Sequence, residues 1–313
     1  MTSICSLRRS QAFSGTDGAF PNTKLAIASD GTVYGTTAAG GSGGDGVLFR
    51  LSPAGHVLPV LAGWIQRLHY GFTGFSDGGN PQGDIVLDDS SNIYGTAYGG
   101  GMNGDGTVYE FTNGGIQVLH TFSGSPGDGA NPYGVISGRG GLYGITRYGG
   151  SNGAGTLYTL AGGYQVIHNF ASYAPEGNPI SLVADQAGNL YGTSNFVPII
   201  CFPYGGDLYE LSYPDWNIET LLILGGNGGR TSSWVSTDAS GNVYGTADNI
   251  GAYGQGDVFK LTCCWTYTSL HDFSGGDGTQ PSGSALIDAQ GNIYGTTSGG
   301  GAYGYGVVWE ISP

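Results

Sequence analysis

One short frame recurs six times along this chain, and it constrains the fold more than any other feature. "TVYGTT", "NIYGTA", "GLYGIT", "NLYGTS", "NVYGTA" and "NIYGTT" place tyrosines at Tyr34, Tyr94, Tyr143, Tyr191, Tyr244 and Tyr294, at intervals of 60, 49, 48, 53 and 50 residues. Twelve residues after each tyrosine stands a glycine (Gly46, Gly106, Gly155, Gly256, Gly306), except in the fourth copy, where Gly206 lies fifteen after Tyr191. Three residues further on comes an aromatic: Phe49, Tyr109, Tyr158, Tyr209, Phe259 and Trp309. A fixed period near 50 residues is the mark of a repeat architecture.

Each period reads as four short strands. In the last copy these are "WTYTSLHDFSG", "SALIDA", "NIYGTTS" and "GVVWEIS", rich in β-branched and aromatic residues. The turns between them are "GGDGTQP", "AQG" and "GGGAYGYG". No segment has helical periodicity. Four antiparallel strands per 50 residues describe a propeller blade, so the expectation is an all-β, six-bladed β-propeller occupying residues 1–313 as one domain. The 63 glycines do not signal disorder, because 12% of the chain is aromatic and only 10% is charged. They mark turns and places where backbones approach closely.

The phase of the repeat predicts how the ring closes. The chain begins with "SLRRSQAFSG", the counterpart of "TSLHDFSG", and stops just after "VVWEIS". Residues 5–14 are therefore expected to pair beside residues 306–312 as the outermost strand of the last blade, which removes a sheet edge. The strands of each blade then run outward from "SALIDA" through "YGT" and "VVWEIS" to "LHDFSG". Loops leaving the second and outermost strands share one rim, where a ligand is expected. The short "AQG" hairpins lie on the opposite face.

Charge narrows the partners. Nine Lys and Arg stand against 23 Asp and Glu, a formal net charge of −14. Such a chain has no basic face for phosphates, so nucleic acid and anionic membrane surfaces are not expected partners. No stretch approaches the roughly 18–20 apolar residues of a membrane span. "MTSICSLRRSQAFSG" lacks the apolar run of a secretory signal, and the sequence shows no C-terminal anchor.

"DAQGNIYGTTSGGGAYGYGVVWEIS", taken with "LHDFSGGDGTQPSGSALID", resembles the glycine-rich tandem repeat of bacterial surface proteins called the GloVer repeat. The resemblance covers almost the whole chain. It implies an exported protein of the cell surface or extracellular space, of a family with no assigned activity and no catalytic residues to transfer.

Two periodic features invite a chemical reading. His69, His120 and His271 fall in the "LH", and His168 in the matching "IH", of the outermost strands. Equivalent positions on different blades diverge around a ring and cannot converge on one metal, so these histidines are expected to be structural, hydrogen bonding within or between blades. Asp17, Asp77, Asp128, Glu176 and Asp277 open the turns "DGAFP", "DGGNP", "DGANP", "EGNP" and "DGTQP", with Asn227 in the fifth copy. A carboxylate there accepts backbone N–H groups of its own turn; calcium at these turns is the alternative, and no other cofactor is expected.

Departures from the repeat say more about function. Four residues after each repeat tyrosine stand Ala38, Tyr98, Arg147, Asn195, Asp248 and Ser298, and one place later Ala39, Gly99, Tyr148, Phe196, Asn249 and Gly299. Blades two to five thus offer Tyr98, Arg147, Tyr148, Asn195, Asp248 and Asn249, groups suited to sugar hydroxyls and ring faces. The fourth rim loop, "NFVPIICFPYGG", is longer and apolar, and residues 196–204 are a candidate protein contact. The fifth copy replaces its acidic turn with "NGGRTSSW", adding Arg230 and Trp234. Cys5, Cys201, Cys263 and Cys264 offer no disulfide framework beyond a vicinal Cys263–Cys264 bond. Two functions fit: a non-catalytic extracellular module that binds a glycan or other polar ligand, or a polysaccharide lyase or hydrolase. In the enzyme, Arg147 would neutralise a uronate, Tyr98 or Tyr148 would transfer the proton, and Asp248 would act as acid or base.

Overall fold

The computed structural model describes residues 13–21, 23–53, 64–172, 177–194, 207–223, 230–262, 265–287, 290–301, 304 and 307–312. The chain divides into two compact units, residues 1–123 and 124–313. Two antiparallel sheets occupy the first. Blade one is β1 (Ala26–Ile27), β2 (Val33–Thr37), β3 (Val47–Pro53) and β4 (Trp64–Gly71), and blade two is β5 (Val86–Leu87), β6 (Ile93–Ala97), β7 (Thr107–Thr112) and β8 (Gly115–Thr121). The second unit holds four. Blade three is β9 (Gly129–Gly138), β10 (Gly141–Gly149), β11 (Thr156–Thr159) and β12 (Gln165–Asn169), and blade four is β13 (Val183–Ala184), β14 (Leu190–Ser194), β15 (Asp207–Ser212) and β16 (Asn217–Ile223). Blade five is β17 (Arg230–Thr237), β18 (Val243–Asp248), β19 (Asp257–Leu261) and β20 (Tyr267–Asp272), and the described strands of blade six are β21 (Thr279–Ile287), β22 (Ile293–Gly299) and β23 (Val308–Ile311).

Every blade is a meander whose sheet order follows chain order, with each strand pairing the next. This is the all-β, six-bladed β-propeller that the repeat predicts, and no helix occurs among the described residues. Residues 5–12, expected to close the last blade, lie outside the described residues. Phe13 sits 5.0 Å from Phe49, as Phe72 sits 5.2 Å from Tyr109 and Phe170 sits 5.4 Å from Tyr209. That is the relation of the end of an outermost strand to the third strand of the blade that follows it.

Inside each blade the repeat glycine and the repeat aromatic are direct cross-strand partners. The register pairs Gly35 with Phe49, Gly95 with Tyr109, Gly144 with Tyr158, Gly192 with Tyr209, Gly245 with Phe259 and Gly295 with Trp309. The far end of the ring lies over the glycine: a Cβ would come within 2.5 Å of it at Gly35 and Gly245, and nearer still at Gly144, Gly192 and Gly295. The ring thus fills the space where a side chain would stand, and the core forms between neighbouring blades. Tyr34, Leu48 and Phe72 of blade one pack on Ile85, Ile93 and Tyr109 of blade two. Equivalent clusters join blades three and four, four and five, and five and six.

A second recurrent device locks blade one to two, three to four and five to six. Asn80, Asn178 and Gln280 have left-handed backbones, φ 56°, 56° and 52°. Their N–H groups donate to the carbonyls of Asp45, Ala154 and Gln255, at 2.7, 2.8 and 2.8 Å. The next residue is proline in each case, and Pro81, Pro179 and Pro281 close on Gly46, Gly155 and Gly256. Those glycines have φ of 95°, 102° and 104°, and a Cβ there would run into the carbonyl of Thr37, Thr146 or Ala247. The same glycine carbonyls accept the N–H of the buried Phe72, Phe170 and Phe273, at 3.0, 3.0 and 2.9 Å.

Two buried carboxylates strain this scheme, one in each unit. Burial pushes Asp84 up to about 6, against the opposing pull of Lys24, whose N–H donates to it at 3.3 Å. Burial likewise pushes Asp257 up to about 6, its neighbour Asp272 adding to the shift; Tyr267 donates a hydrogen bond to Oδ2 while Oδ1 is buried without a partner. Asp257 and Asp272 are direct cross-strand partners, where blade three pairs Thr156 with Asn169.

Two predictions follow from these contacts. Gly155→Ala should cost at least 2 kcal/mol in urea unfolding, because the new Cβ meets backbone, whereas Gly153→Ala, with open space around it, should cost only the roughly 1–2 kcal/mol of a left-handed alanine. A carboxyl raised in the folded state binds a proton that the unfolded chain has released, so the contribution of Asp84 and Asp257 to stability should fall as pH rises from about 4 to about 6 and stay lower above, while His69 and His168, lowered by burial, contribute in the opposite direction. Asp257→Asn should remove its share of that fall and stabilise the protein at pH 7.5 by on the order of 2 kcal/mol, read as a rise in the urea midpoint.

Candidate ligand-binding faces

The rim is built from two kinds of loop that hydrogen-bond to each other. In the first unit Gly41 donates to Gly15, Tyr98 to Asn80 and Gly101 to Phe75, at 2.9, 3.1 and 2.6 Å. The loops leaving the second and outermost strands therefore do share one face, as the phase of the repeat requires.

The acidic turns are capped by donors of the turn itself or of residues in or next to an outermost strand. Ser14 donates its N–H (2.6 Å) and hydroxyl (2.9 Å) to Asp17, and Ser274 does the same to Asp277 at 2.8 and 2.9 Å. Asp77 accepts the Thr73 N–H at 3.0 Å and the Tyr70 hydroxyl at 2.9 Å, and Asp128 accepts the Tyr164 hydroxyl at 2.8 Å. The donors from Ser274, with His271 assisting, hold Asp277 down at about 2. Glu176 and Asn227 lie outside the described residues. Among the described residues no group of three or more His, Cys, Asp or Glu gathers as a metal would need.

The histidines are structural through packing, and one of them is offset from the others. His120, His168 and His271 stand edge-on to Phe122, Phe170 and Phe273, two residues later, with centroids 4.9, 5.1 and 4.8 Å apart. In blade one that place belongs to Tyr70, 5.4 Å from Phe72. Tyr70 bonds Asp77 as His271 bonds Asp277 at 2.8 Å. A β-bulge lies opposite Leu48–Phe49, Val108–Tyr109, Leu157–Tyr158 and Val258–Phe259, and it leaves His69, Leu119, Ile167 and Leu270 as the extra residues. His69 therefore matches Leu119, not His120. Reading "LH" as one motif in every blade misaligned it by one residue.

Of the residues at the variable rim positions, Arg147 and Tyr148 come together at the end of β10. The Arg147 guanidinium stands 5.6 Å from the centre of the Tyr148 ring, and its Nε is buried without a hydrogen-bond partner. Tyr148 is 41% exposed. In blade five Arg230 and Asp248 are cross-strand partners of β17 and β18, and Trp234 lies further along β17. Asn249 is exposed, with φ 58°. Tyr98 belongs to the first unit. Asn195, the apolar stretch 196–204 and all four cysteines lie outside the described residues.

Two features escaped the sequence reading. Phe20, Phe75 and Met102 stand on the rim of the first unit, 74%, 77% and 86% exposed. Phe20 occupies the left-handed position held by Asn80, Asn131, Asn178 and Gln280, a substitution that alignment of the "NP" turns would have exposed. The second is on the hairpin face, where a shallow basin of about 530 Å³ opens among blades three, four and five. Arg139 borders it, donating to the Ala187 carbonyl at 3.2 Å and standing 5.1 Å from the Tyr213 ring. Asp185 and Asp238 line it, but each accepts four bonds from its own turn, among them the Tyr191 and Tyr244 hydroxyls at 3.2 and 3.0 Å. Blade three has Ser137 in place of that aspartate, and Tyr143 donates instead to the Arg139 carbonyl at 2.7 Å.

Similarity to solved structures is distant. The extracellular domain of a putative one-component system from B. thetaiotaomicron aligns with 96% of this chain and 36% of its own length, at 14% identity and TM-score 0.57. The S511A mutant of a puromycin hydrolase aligns with 96% and 46%, at 14% and 0.60. A Mycobacterium tuberculosis puromycin-hydrolysing peptidase aligns with 90% and 42%, at 12% and 0.58. This chain thus spans less than half the length of each of these three, and at such identity they share its fold alone. No curated protein matches it in sequence. No helix among the described residues is long and apolar enough to cross a membrane. The Gloeobacter/Verrucomicrobia repeat matches residues 5–198 and 201–313, almost the whole chain, and the protein belongs to that family.

Proposed function

We propose that this protein is a non-catalytic surface module that binds a saccharide on the rim of its second unit, at Arg147 and Tyr148. The observation that carries this reading is the pairing of those two side chains. A part-exposed aromatic ring with a guanidinium 5.6 Å from its centre offers a sugar ring a platform and its hydroxyl or carboxylate groups a planar fork of donors. The buried Nε, which has no acceptor in the protein, adds a donor for the ligand to satisfy. Packing gives no reason for an arginine here, since the same position holds Ala38 in blade one and Ser298 in blade six. Asp248 and Asn249 supply further polar groups at the rim of blade five, with Arg230 the cross-strand partner of Asp248. A place outside the cell agrees with the surface proteins that the repeat resembles, and with the extracellular domain that shares the fold.

The test is an array of neutral and acidic glycans, followed by titration calorimetry with and without calcium and by product analysis. Removing a hydrogen-bonding partner from a desolvated site costs about 1–3 kcal/mol. Arg147→Ala and Tyr148→Ala should therefore each weaken binding about tenfold or more. Ser298→Ala should leave it unchanged, because that hydroxyl already donates to the Gln280 carbonyl at 3.1 Å. Equal effects from all three substitutions would contradict the site, and release of cleaved products would replace the module with a lyase or hydrolase.

A further inference from the structure

The rim of the first unit differs chemically from the Arg147–Tyr148 site, and it stands independently of that reading. Its loops, residues 13–21, 38–46, 72–82 and 98–106, contain no lysine or arginine and four aspartates: Asp17, Asp45, Asp77 and Asp105. They form one hydrogen-bonded series. Ala19 donates to Ala39, Gly41 to Gly15, Asn80 to Asp45 and Gly101 to Phe75, at 2.7, 2.9, 2.7 and 2.6 Å. Asp77 is buried and Asp17, Asp45 and Asp105 are part-exposed, and onto this acidic rim the chain places Phe20, Phe75 and Met102, each at least 74% exposed.

Phe20 is there against the backbone's preference. Its φ is 58°, in the left-handed region where a bulky side chain is rare, and the equivalent residues are Asn80, Asn131, Asn178 and Gln280. Asparagine tolerates that conformation because its short amide bonds locally, whereas phenylalanine gains nothing from it. Nor does exposure return any burial energy. Phe75 lies in a turn whose length varies among the copies, five positions from Phe72 to Asp77 against four in Phe13–Asp17 and Phe273–Asp277 and six in Phe122–Asp128 and Phe170–Glu176, and no other copy puts an aromatic three residues after that phenylalanine except Tyr173. A strained, exposed aromatic and a second exposed aromatic on the same hydrogen-bonded series of loops are a cost to the fold that a binding partner can repay.

We infer that the rim of the first unit is a docking surface for a basic polypeptide segment with an apolar face. Charge complementarity selects this occupant. Phe20, Phe75 and Met102 offer anchors for apolar side chains, and the surrounding carboxylates, with no cation among them, attract lysine or arginine and repel acidic partners. A neutral saccharide would leave the acidic surround without a role.

The full chain would be titrated by fluorescence anisotropy with an 18-residue amphipathic Leu/Lys helix, its Leu/Glu counterpart and a neutral oligosaccharide competitor, at low and high salt. The expected result is that the Leu/Lys peptide alone binds and that salt weakens it. The combined Phe20→Asn, Phe75→Ser and Met102→Ser variant, whose net charge is unchanged, should bind it at least tenfold more weakly. Phe20→Asn alone should raise Tm by about 2–4 °C by relieving the backbone. Equal binding by native and triple variant would overturn the inference, as would equal binding of the Leu/Glu peptide or displacement by the oligosaccharide. A lowered Tm for Phe20→Asn would show that the phenylalanine serves the fold itself.

Discussion

The contact on which each blade depends is an aromatic ring lying across a glycine. The two residues are partners in adjacent strands, Gly245 beneath Phe259 and Gly95 beneath Tyr109, and the ring occupies the volume a side chain would fill. These glycines sit in ordinary extended backbone. What requires glycine is the neighbour's ring, and the bulge opposite each of Phe49, Tyr109, Tyr158, Tyr209 and Phe259 marks the same point in the outer strand. With the ring laid inward, phenylalanines such as Phe72 and Phe170 pack against the aromatic of the following blade. Burial of fully covered aromatics then joins blade to blade at about 25 cal/mol per Å² of apolar surface.

Much of this was legible because the repeat states it several times over. The spacing of Tyr34, Gly46 and Phe49 recurs with one insertion in six copies, so strand order and rim assignment could be read by phase alone. A dipeptide is a poorer guide than this spacing. "LH" suggested that His69 matched His120, but the bulge gives blade one its extra residue at His69, and Tyr70 takes the histidine's place against Asp77. A backbone bulge has no signature in residue type, whereas the distance to Phe72 would have shown the offset.

The candidate sites were legible only in part, for a different reason. Variable positions can be read off a repeat, and Arg147 and Tyr148 were found that way. Whether two variable side chains meet depends on rotamers and loop paths, which no spacing encodes. Phe20 shows the complementary failure. Its residue type looks ordinary in a glycine-rich loop, and only the backbone angle it adopts reveals that the fold is held away from its own preference there. Function in this chain is therefore best sought where one copy breaks a rule that the others keep.

The central claim, that the ring imposes the glycine, is tested most directly by a double-mutant cycle on Gly245 and Phe259 followed by urea unfolding. The account predicts that Gly245→Ala costs about 2 kcal/mol or more in the native background and markedly less beside Phe259→Leu, with a coupling of at least about 1 kcal/mol. Strictly additive effects of the two substitutions, or a Gly245→Ala variant as stable as the native protein, would contradict it.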